Sequence, residues 1–242
     1  MLVHTSPLFQ IYFGNADDAL FPADYLNLLQ DKKILEQEPY NKLKKLMQLK
    51  KLLFLHQVHG IDGYIIGSQE AEILKPFSCE GDYLITDLNR VGLGVMTADC
   101  LPIIFHDVMH NAIAIIHAGW RGAVKGIAVK AFEMMEQVYG TQKDSLRIYF
   151  GPCAKVCCYQ IQENFLENLE SVDYTDRVIQ THGDDLYFDL PEFNRLQLEN
   201  VGIKKEAFHL EYNICTMCDT NFYSYRRQGA SAGRQMTVVS LK

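Results

Sequence analysis

The middle of the chain is built from short apolar or β-branched runs. Leu52–Val58, Asp82–Thr86, Leu93–Thr97, Pro102–His106 and Ala112–His117 follow one another with Gly, Asp and Asn between them. That punctuation predicts strands. From Ala123 to Tyr139 the period changes. Val124, Ile127, Ala131, Met134, Met135 and Val138 recur at helical spacing, and Gly140 is placed to stop the helix. Leu146–Phe150 reads as a further strand ending at Gly151-Pro152. Lysines crowd the segment Lys42–Leu52, whose leucines and Met47 share one helical face. This spacing predicts an amphipathic surface helix over Lys42–Leu52. A later helix announces its start: Asp189 stands as N-cap, Pro191 in the first turn and Glu192 at capping-box spacing. Phe193, Leu196 and Val201 give it an apolar face, and Gly202 ends it.

Strands do not alternate regularly with helices, so a doubly wound sheet is not expected. The pattern predicts an α+β fold of mixed β-sheets with flanking helices. No linker, repeat or low-complexity stretch interrupts it, so residues 1–242 are expected to form a single domain. The chain carries no G-x-G-x-x-G, P-loop or G-x-S-x-G motif.

Composition narrows the function classes. Of the 242 residues, 48% are hydrophobic and 22% charged, enough for a sizeable core. The net charge of −7 gives the chain as a whole no electrostatic reason to bind nucleic acid or an anionic membrane. A local basic pocket for a small anion is compatible with it. The N-terminus lacks a basic segment followed by a long apolar one, so no secretory signal is expected. Ala112–Ile116, the most apolar run, is far too short to cross a bilayer. Seven cysteines at irregular spacing do not form a disulfide framework. Together these features predict a cytoplasmic, mainly monomeric protein with reduced thiols and no obligate protein partner. Cys215 and Cys218 make a C-x-x-C without a second such pair in sequence. Cys218 therefore reads as incidental, and the adjacent Cys157 and Cys158 as structural or loop thiols.

Three polar segments stand at the ends of apolar strands: His56-Gln57-Val58-His59-Gly60, Thr97-Ala98-Asp99-Cys100-Leu101-Pro102 and His117-Ala118-Gly119-Trp120-Arg121-Gly122. Strand ends deliver side chains to fixed places at a sheet rim, where three can converge. Two imidazoles and a thiolate are a natural zinc set, and three protein ligands leave a fourth position open. The spacing by itself leaves another reading standing, in which Cys100 is a buried structural thiol and His117 a hydrogen-bonded core histidine.

The segments HQVHG, GDYLIT, GVMTADCLPIIFHD, AIIHAGWRGAVKGI, GPC…CCYQI, CT…NFYSYRR and GR, from His56 to Arg234, resemble in order those of the YfiH family of laccase-domain or "polyphenol oxidase" proteins. The TADCLP and HAGWRG blocks are specific in combination. The resemblance implies zinc ligands at His59, Cys100 and His117, with His56 the competing choice in the first block. It implies a fold related to the cytotoxic-necrotizing-factor catalytic domain. It also implies purine nucleoside phosphorylase activity on adenosine, inosine, guanosine or methylthioadenosine with phosphate, and adenosine deaminase activity in some members. Beside it, Arg121, Arg226, Arg227 and Arg234 are candidate phosphate ligands, because guanidinium forks match phosphate oxygens; the alternative for each is ordinary surface charge. Asp82 and Asp99 are candidate acid/base groups or supports for the ligands, and for Asp99 a carboxylate capping the Thr97–Cys100 turn is an equal alternative. Trp120 is suited to stacking on a base or to packing beneath the loop.

The chain departs from the family pattern in three places. Leu8–Gly14 lacks the arginine of an N-terminal S-T-R-x-G-G block, Tyr25-Leu26-Asn27-Leu28 replaces a Ser-Leu-Asn-Leu type stretch, and Gln160 stands where Glu is common. The anion or ribose site is where these changes are expected to act. Two other classes use the same residues: a metal-free hydrolase or amidase with Cys100 as nucleophile and His117 as base, and a degenerate, non-enzymatic binding protein. A four-copper oxidase is not expected, since eight histidines and no H-x-H pair cannot build its mononuclear and trinuclear sites.

Overall fold

The computed structural model describes residues 2–18, 38–170 and 172–242. The stretch Tyr25-Leu26-Asn27-Leu28 lies outside the described residues. In chain order the regular elements begin with β1 (Leu2–Thr5), β2 (Phe9–Phe13), α1 (Glu38–Leu46), β3 (Lys51–Phe54), β4 (Gly63–Ile65) and α2 (Ser68–Ile73). The central strands are β5 (Tyr83–Thr86), β6 (Val91–Thr97), β7 (Leu101–Asp107) and β8 (Ala112–Ala118). Then come α3 (Trp120–Val124), α4 (Ile127–Tyr139), β9 (Leu146–Phe150), β10 (Gln160–Ile161), α5 (Thr175–Val178), β11 (Ile179–His182) and β12 (Asp185–Phe188). Last are α6 (Leu190–Asn200), β13 (Phe208–His209), α7 (Tyr225–Gln228) and β14 (Gln235–Leu241).

Two large sheets organise the molecule, one ordered β1-β2-β14-β6-β3 and the other β13-β9-β7-β8-β5-β4; β10, β12 and β11 form a small third sheet. The continuous apolar runs of β7 and β8 follow from burial on both faces. Along β8, Ala112, Ala114 and Ile116 pack toward α4 and α6. The alternate residues Ile113 and Ile115 pack toward Phe9, Ile11, Leu93 and Val239 of the other sheet. The outer face of the β1-β2-β14-β6-β3 sheet, with Tyr12, Phe54 and Val238, is covered by Tyr40, Leu43 and Met47 on and just after α1. The layers are thus helix, sheet, sheet, helices, an α+β arrangement as the strand pattern predicts.

Two expected helices differ. The helix expected over Lys42–Leu52 ends at Leu46, because Gln48 turns to a left-handed φ of 55° and the chain re-enters as β3. Leu52 is buried there as a strand residue and not on a helical face. The helix expected over Ala123–Tyr139 is two helices, α3 and α4, broken at Gly126 with φ 82°. Gly140 does end α4, with φ 70°. At α6, Asp189 caps as expected, its carboxylate accepting from the Glu192 amide at 3.0 Å. No described helix is long and apolar enough to cross a membrane.

Candidate metal centre

The topology of the second large sheet explains why distant residues meet. Strands β7 and β8 are antiparallel neighbours, with Leu101 opposite Ala118 and Pro102 opposite His117. Cys100, one residue before β7, therefore arrives beside His117 near the end of β8. Strand β5 pairs with β8 from its other side, Tyr83 opposite Ile116. Asp82, one residue before β5, is thereby set against His117, whose amide donates to the Asp82 carbonyl at 2.7 Å. The third participant comes from the loop after β3. Gln57 pins that loop to β6, donating to the Met96 carbonyl and accepting from the Met96 amide, both at 2.8 Å.

His59 turns with a left-handed φ of 58°. Such a conformation costs energy for a non-glycine residue and persists only where its surroundings enforce it. Here the enforcer is Asp82. Its carboxylate accepts from the amides of Val58 (3.3 Å), His59 (3.1 Å) and Gly60 (2.6 Å). The same carboxylate meets His117 Nδ1 at 2.7 Å. His117 is thereby left with Nε2 as its free ligand atom, facing Cys100 and His59.

One ligand atom from each of His59, Cys100 and His117 lies within 4.8 Å of the others. The Cys100 Sγ to His59 Nε2 separation is 3.8 Å. Zinc–nitrogen and zinc–sulfur bonds of ordinary length, at a tetrahedral angle, set nitrogen and sulfur roughly 3.6 Å apart. Gly119 makes the convergence possible: a Cβ there would stand 2.8 Å from the His59 ring and 3.1 Å from the Cys100 sulfur. His56 lines the neighbouring cavity but stands outside this group.

The electrostatics of the group are those of a thiolate–imidazolium pair. Burial opposes ionisation of Cys100, but the His117 charge and the hydrogen bonds from both histidines outweigh it and lower the thiol to about 6. Burial likewise opposes protonation of His117, yet the Cys100 thiolate and Asp82 raise it to about 9. Asp82 is pushed up by burial and pulled down more strongly by His117 and the Gly60 and His59 amides, so it stays below the usual carboxylate range.

The group opens into a cavity of about 700 Å³. Arg121, Arg226 and Arg234 line it, together with Trp120, Tyr159 and Tyr225. Arg121 lies 4.4 Å over the Trp120 ring, whose edge meets Phe165. Arg226 lies 4.7 Å over the Tyr159 ring and donates to the Gln160 carbonyl at 2.7 Å. Arg234 donates to the Ala232 and Gly233 carbonyls. Burial lowers its pKa, opposed by Cys100, Asp99 and Tyr225.

Two sequence candidates do other work. Arg227 is absent from the cavity wall; its guanidinium donates to the carbonyls of Thr216, Met217 and Phe222, tying the 216–222 loop together. Asp99 lines the cavity, but its carboxylate is bonded to Thr216 Oγ1 (2.7 Å), Ser224 Oγ (3.1 Å) and the Arg226 amide (2.7 Å). It clamps the segment bearing Arg226 to the Cys100 turn, a span wider than the local turn cap expected from sequence. Sequence reasoning missed Gln57, Tyr159 and Tyr225, because their neighbourhood is set by long-range packing. Gly119, two residues after His117, stands where a side chain would collide with His59 and Cys100.

Residues 22–242 match the family described as multi-copper polyphenol oxidoreductase laccase. A purine nucleoside phosphorylase of Clostridium acetobutylicum is 31% identical over 238 residues, covering 97% of this chain and 92% of the relative. A protein named adenosine deaminase RL5, from an unknown prokaryotic organism, is 32% identical over 165 residues, covering 66% of this chain and 62% of its own. Among solved structures, Bacillus licheniformis hypothetical protein YfiH superposes with a TM-score of 0.75 at 24% identity, over 88% of this chain and 80% of that one.

Proposed function

This chain belongs to the laccase-like YfiH family, and from that premise we propose that it is a zinc-dependent purine nucleoside phosphorylase. Its substrates are adenosine, inosine, guanosine or methylthioadenosine with phosphate, and its products are the free base and the ribose 1-phosphate. The observation that carries the reading is a juxtaposition. A two-nitrogen, one-sulfur ligand set and three guanidinium groups face one cavity.

The residues fit zinc by donor chemistry, by spacing and by the freed Nε2 of His117. When bound, the ion would supply a Lewis acid beside the cavity. The remaining work falls to the chain's own groups. Phosphorolysis breaks the bond from ribose C1′ to the purine nitrogen and forms one from C1′ to a phosphate oxygen. The bonding electrons leave with the purine. The wall must therefore accept a phosphate dianion, and Arg121, Arg226 and Arg234 supply the opposite charge and the fork geometry. Among the aromatic rings on the wall, Tyr225 is exposed and suited to a purine face, while Trp120 and Tyr159 already carry guanidinium groups over their rings. The reading carries with it a single catalytic domain over residues 1–242 and a reducing, cytoplasmic setting.

Two observations favour neighbouring readings. A relative bears the name adenosine deaminase, and that reaction needs no phosphate. The Cys100–His117 ion pair is also what a cysteine hydrolase would use. One experiment separates them: release of base and of ammonia from a nucleoside panel with and without phosphate, coupled to zinc analysis. We expect release to require phosphate. Arg226→Ala should raise the phosphate requirement roughly ten- to a hundredfold, the loss of one charge-assisted bond of about 1.5–3 kcal/mol. Release equally fast without phosphate would sink the phosphorylase reading. No turnover of any nucleoside by the zinc-loaded protein would mark a binding protein.

A further inference from the structure

Four of the six cysteines outside this site form a second group. Cys157 and Cys158 lie in the turn beyond β9, and Cys215 and Cys218 in the turn beyond β13. The chain has no second C-x-x-C, and the fold supplies the missing pair instead. A bridge between Cys153 and Cys215 lays the two segments side by side, with Thr216 donating to Cys153 at 2.9 Å and Cys153 to Ile214 at 3.0 Å. Each segment then closes a turn, Cys158 donating to the Lys155 carbonyl at 2.9 Å and Asp219 to the Cys215 carbonyl at 3.0 Å. The four sulfurs all lie within 4.8 Å of one another. Cys218 Sγ is 3.0 Å from Cys158 Sγ and 3.5 Å from Cys157 Sγ.

We propose that Cys157, Cys158, Cys215 and Cys218 form a second, structural metal site that holds one zinc-class divalent cation through four thiolates. A tetrahedral ion with metal–sulfur bonds near 2.3 Å sets its sulfurs about 3.8 Å apart, inside the observed spread. A disulfide would use two of the sulfurs and leave the other two crowded against it without a partner. An iron–sulfur cluster ligates through thiolates spread around several iron atoms, and these four are gathered around a single point. Calcium and magnesium take oxygen ligands, and the group offers none. Cys157 and Cys218 are exposed, so the cation can load from solvent.

The site has a structural consequence for the cavity. One segment continues into Tyr159 and Gln160, on which Arg226 rests. The other carries Thr216, which Asp99 and Arg227 hold. A cation joining the two turns fixes the wall that presents Arg226. The assignment stands apart from the chemistry of His59, Cys100 and His117, since it shares none of those ligands.

The test uses the full chain purified under reductant. Elemental analysis should give about two zinc per wild-type chain, and about one in both the Cys100→Ser protein and the Cys157→Ser/Cys218→Ser protein. Should the double variant not fold, Cys100→Ser carries the test alone. Its retained zinc, on displacement by a strong chelator, should unmask four thiols to a thiol reagent. Its cobalt-substituted form should show intense thiolate-to-cobalt charge-transfer absorption. Wild-type protein holding no more than about one zinc, lost entirely in Cys100→Ser, would overturn the proposal. So would a Cys158–Cys218 disulfide in the reduced protein. Nucleoside turnover is measured separately, so failure here leaves the phosphorolysis reading intact, and the reverse.

Discussion

Asp82 accepts from His117 and from three successive amides around His59, so a single carboxylate fixes the posture of two of the three candidate ligands. Asp82→Asn keeps the size but gives up one acceptor oxygen and sets an NH₂ group against the amide donors. We expect zinc affinity at this site to fall roughly ten- to a hundredfold, the usual cost of losing a ligand's hydrogen-bond partner. Competition against a chromophoric chelator measures it, and unchanged affinity would show that His117 needs no carboxylate behind it. The neighbouring pair makes a pH prediction. With the thiol lowered to about 6, Cys100 in metal-free protein is a thiolate above that pH. Alkylation of its peptide by iodoacetamide should rise through about pH 6 and then level, whereas an ordinary thiol titrates near 8.5. His117, raised to about 9, keeps its proton below that pH. Zinc binding at about pH 7.5 should therefore expel roughly one proton, and the yield should fall as pH rises past about 9. Calorimetry in buffers of different ionisation enthalpy counts it. No proton release at neutral pH would mean that His117 is already neutral.

The helix α6 begins where Asp189 accepts from the Glu192 amide. The reciprocal half of a capping box is missing: the Glu192 carboxylate binds Arg195, and the Asp189 amide donates instead to the Val178 carbonyl. The cap contributes through a single bond, so Asp189→Ala should cost about 1 kcal/mol. In a chain of this size that lowers Tm by roughly 2–4 °C, read by thermal unfolding, and a variant as stable as the parent would assign the helix start to packing alone. This cap was legible because Asp, Pro and Glu act within one turn. The strands β7 and β8 were legible because burial on both faces leaves an unbroken apolar run. The end of α1 was not, because Leu49 and Leu52 continue the helical spacing while the backbone at Gln48 has already turned. Whether an apolar residue serves a helix or the strand beneath it is decided by the layer it enters, which spacing does not encode.

At the level of the whole molecule, the two large sheets share one interior, with Phe9, Leu93 and Val239 meeting Ile104, Ile113 and Ile115. Among the described residues no core belongs to one half of the chain, since β14 sits between β2 and β6. Limited proteolysis should therefore give no pair of stable fragments of similar size; two such fragments would divide the domain proposed over residues 1–242. The candidate ligands could be read from sequence as polar residues at strand ends. The second cysteine group could not, because its two halves are far apart in sequence and meet through long-range pairing at the Cys153–Cys215 bridge. Arg227 could not be separated from Arg226 either, since adjacent positions on a short helix point to different surroundings. The three-residue centre is itself lopsided. Cys100 and His117 stand at the rim of a hydrogen-bonded sheet that opens only when the molecule does, whereas His59 rides on a loop held by side-chain hydrogen bonds of Asp82 and Gln57. Local opening is far cheaper than global unfolding. An ion seated there would escape on the His59 side, with a lifetime set by how often that loop lifts and not by the strength of the sheet beneath it.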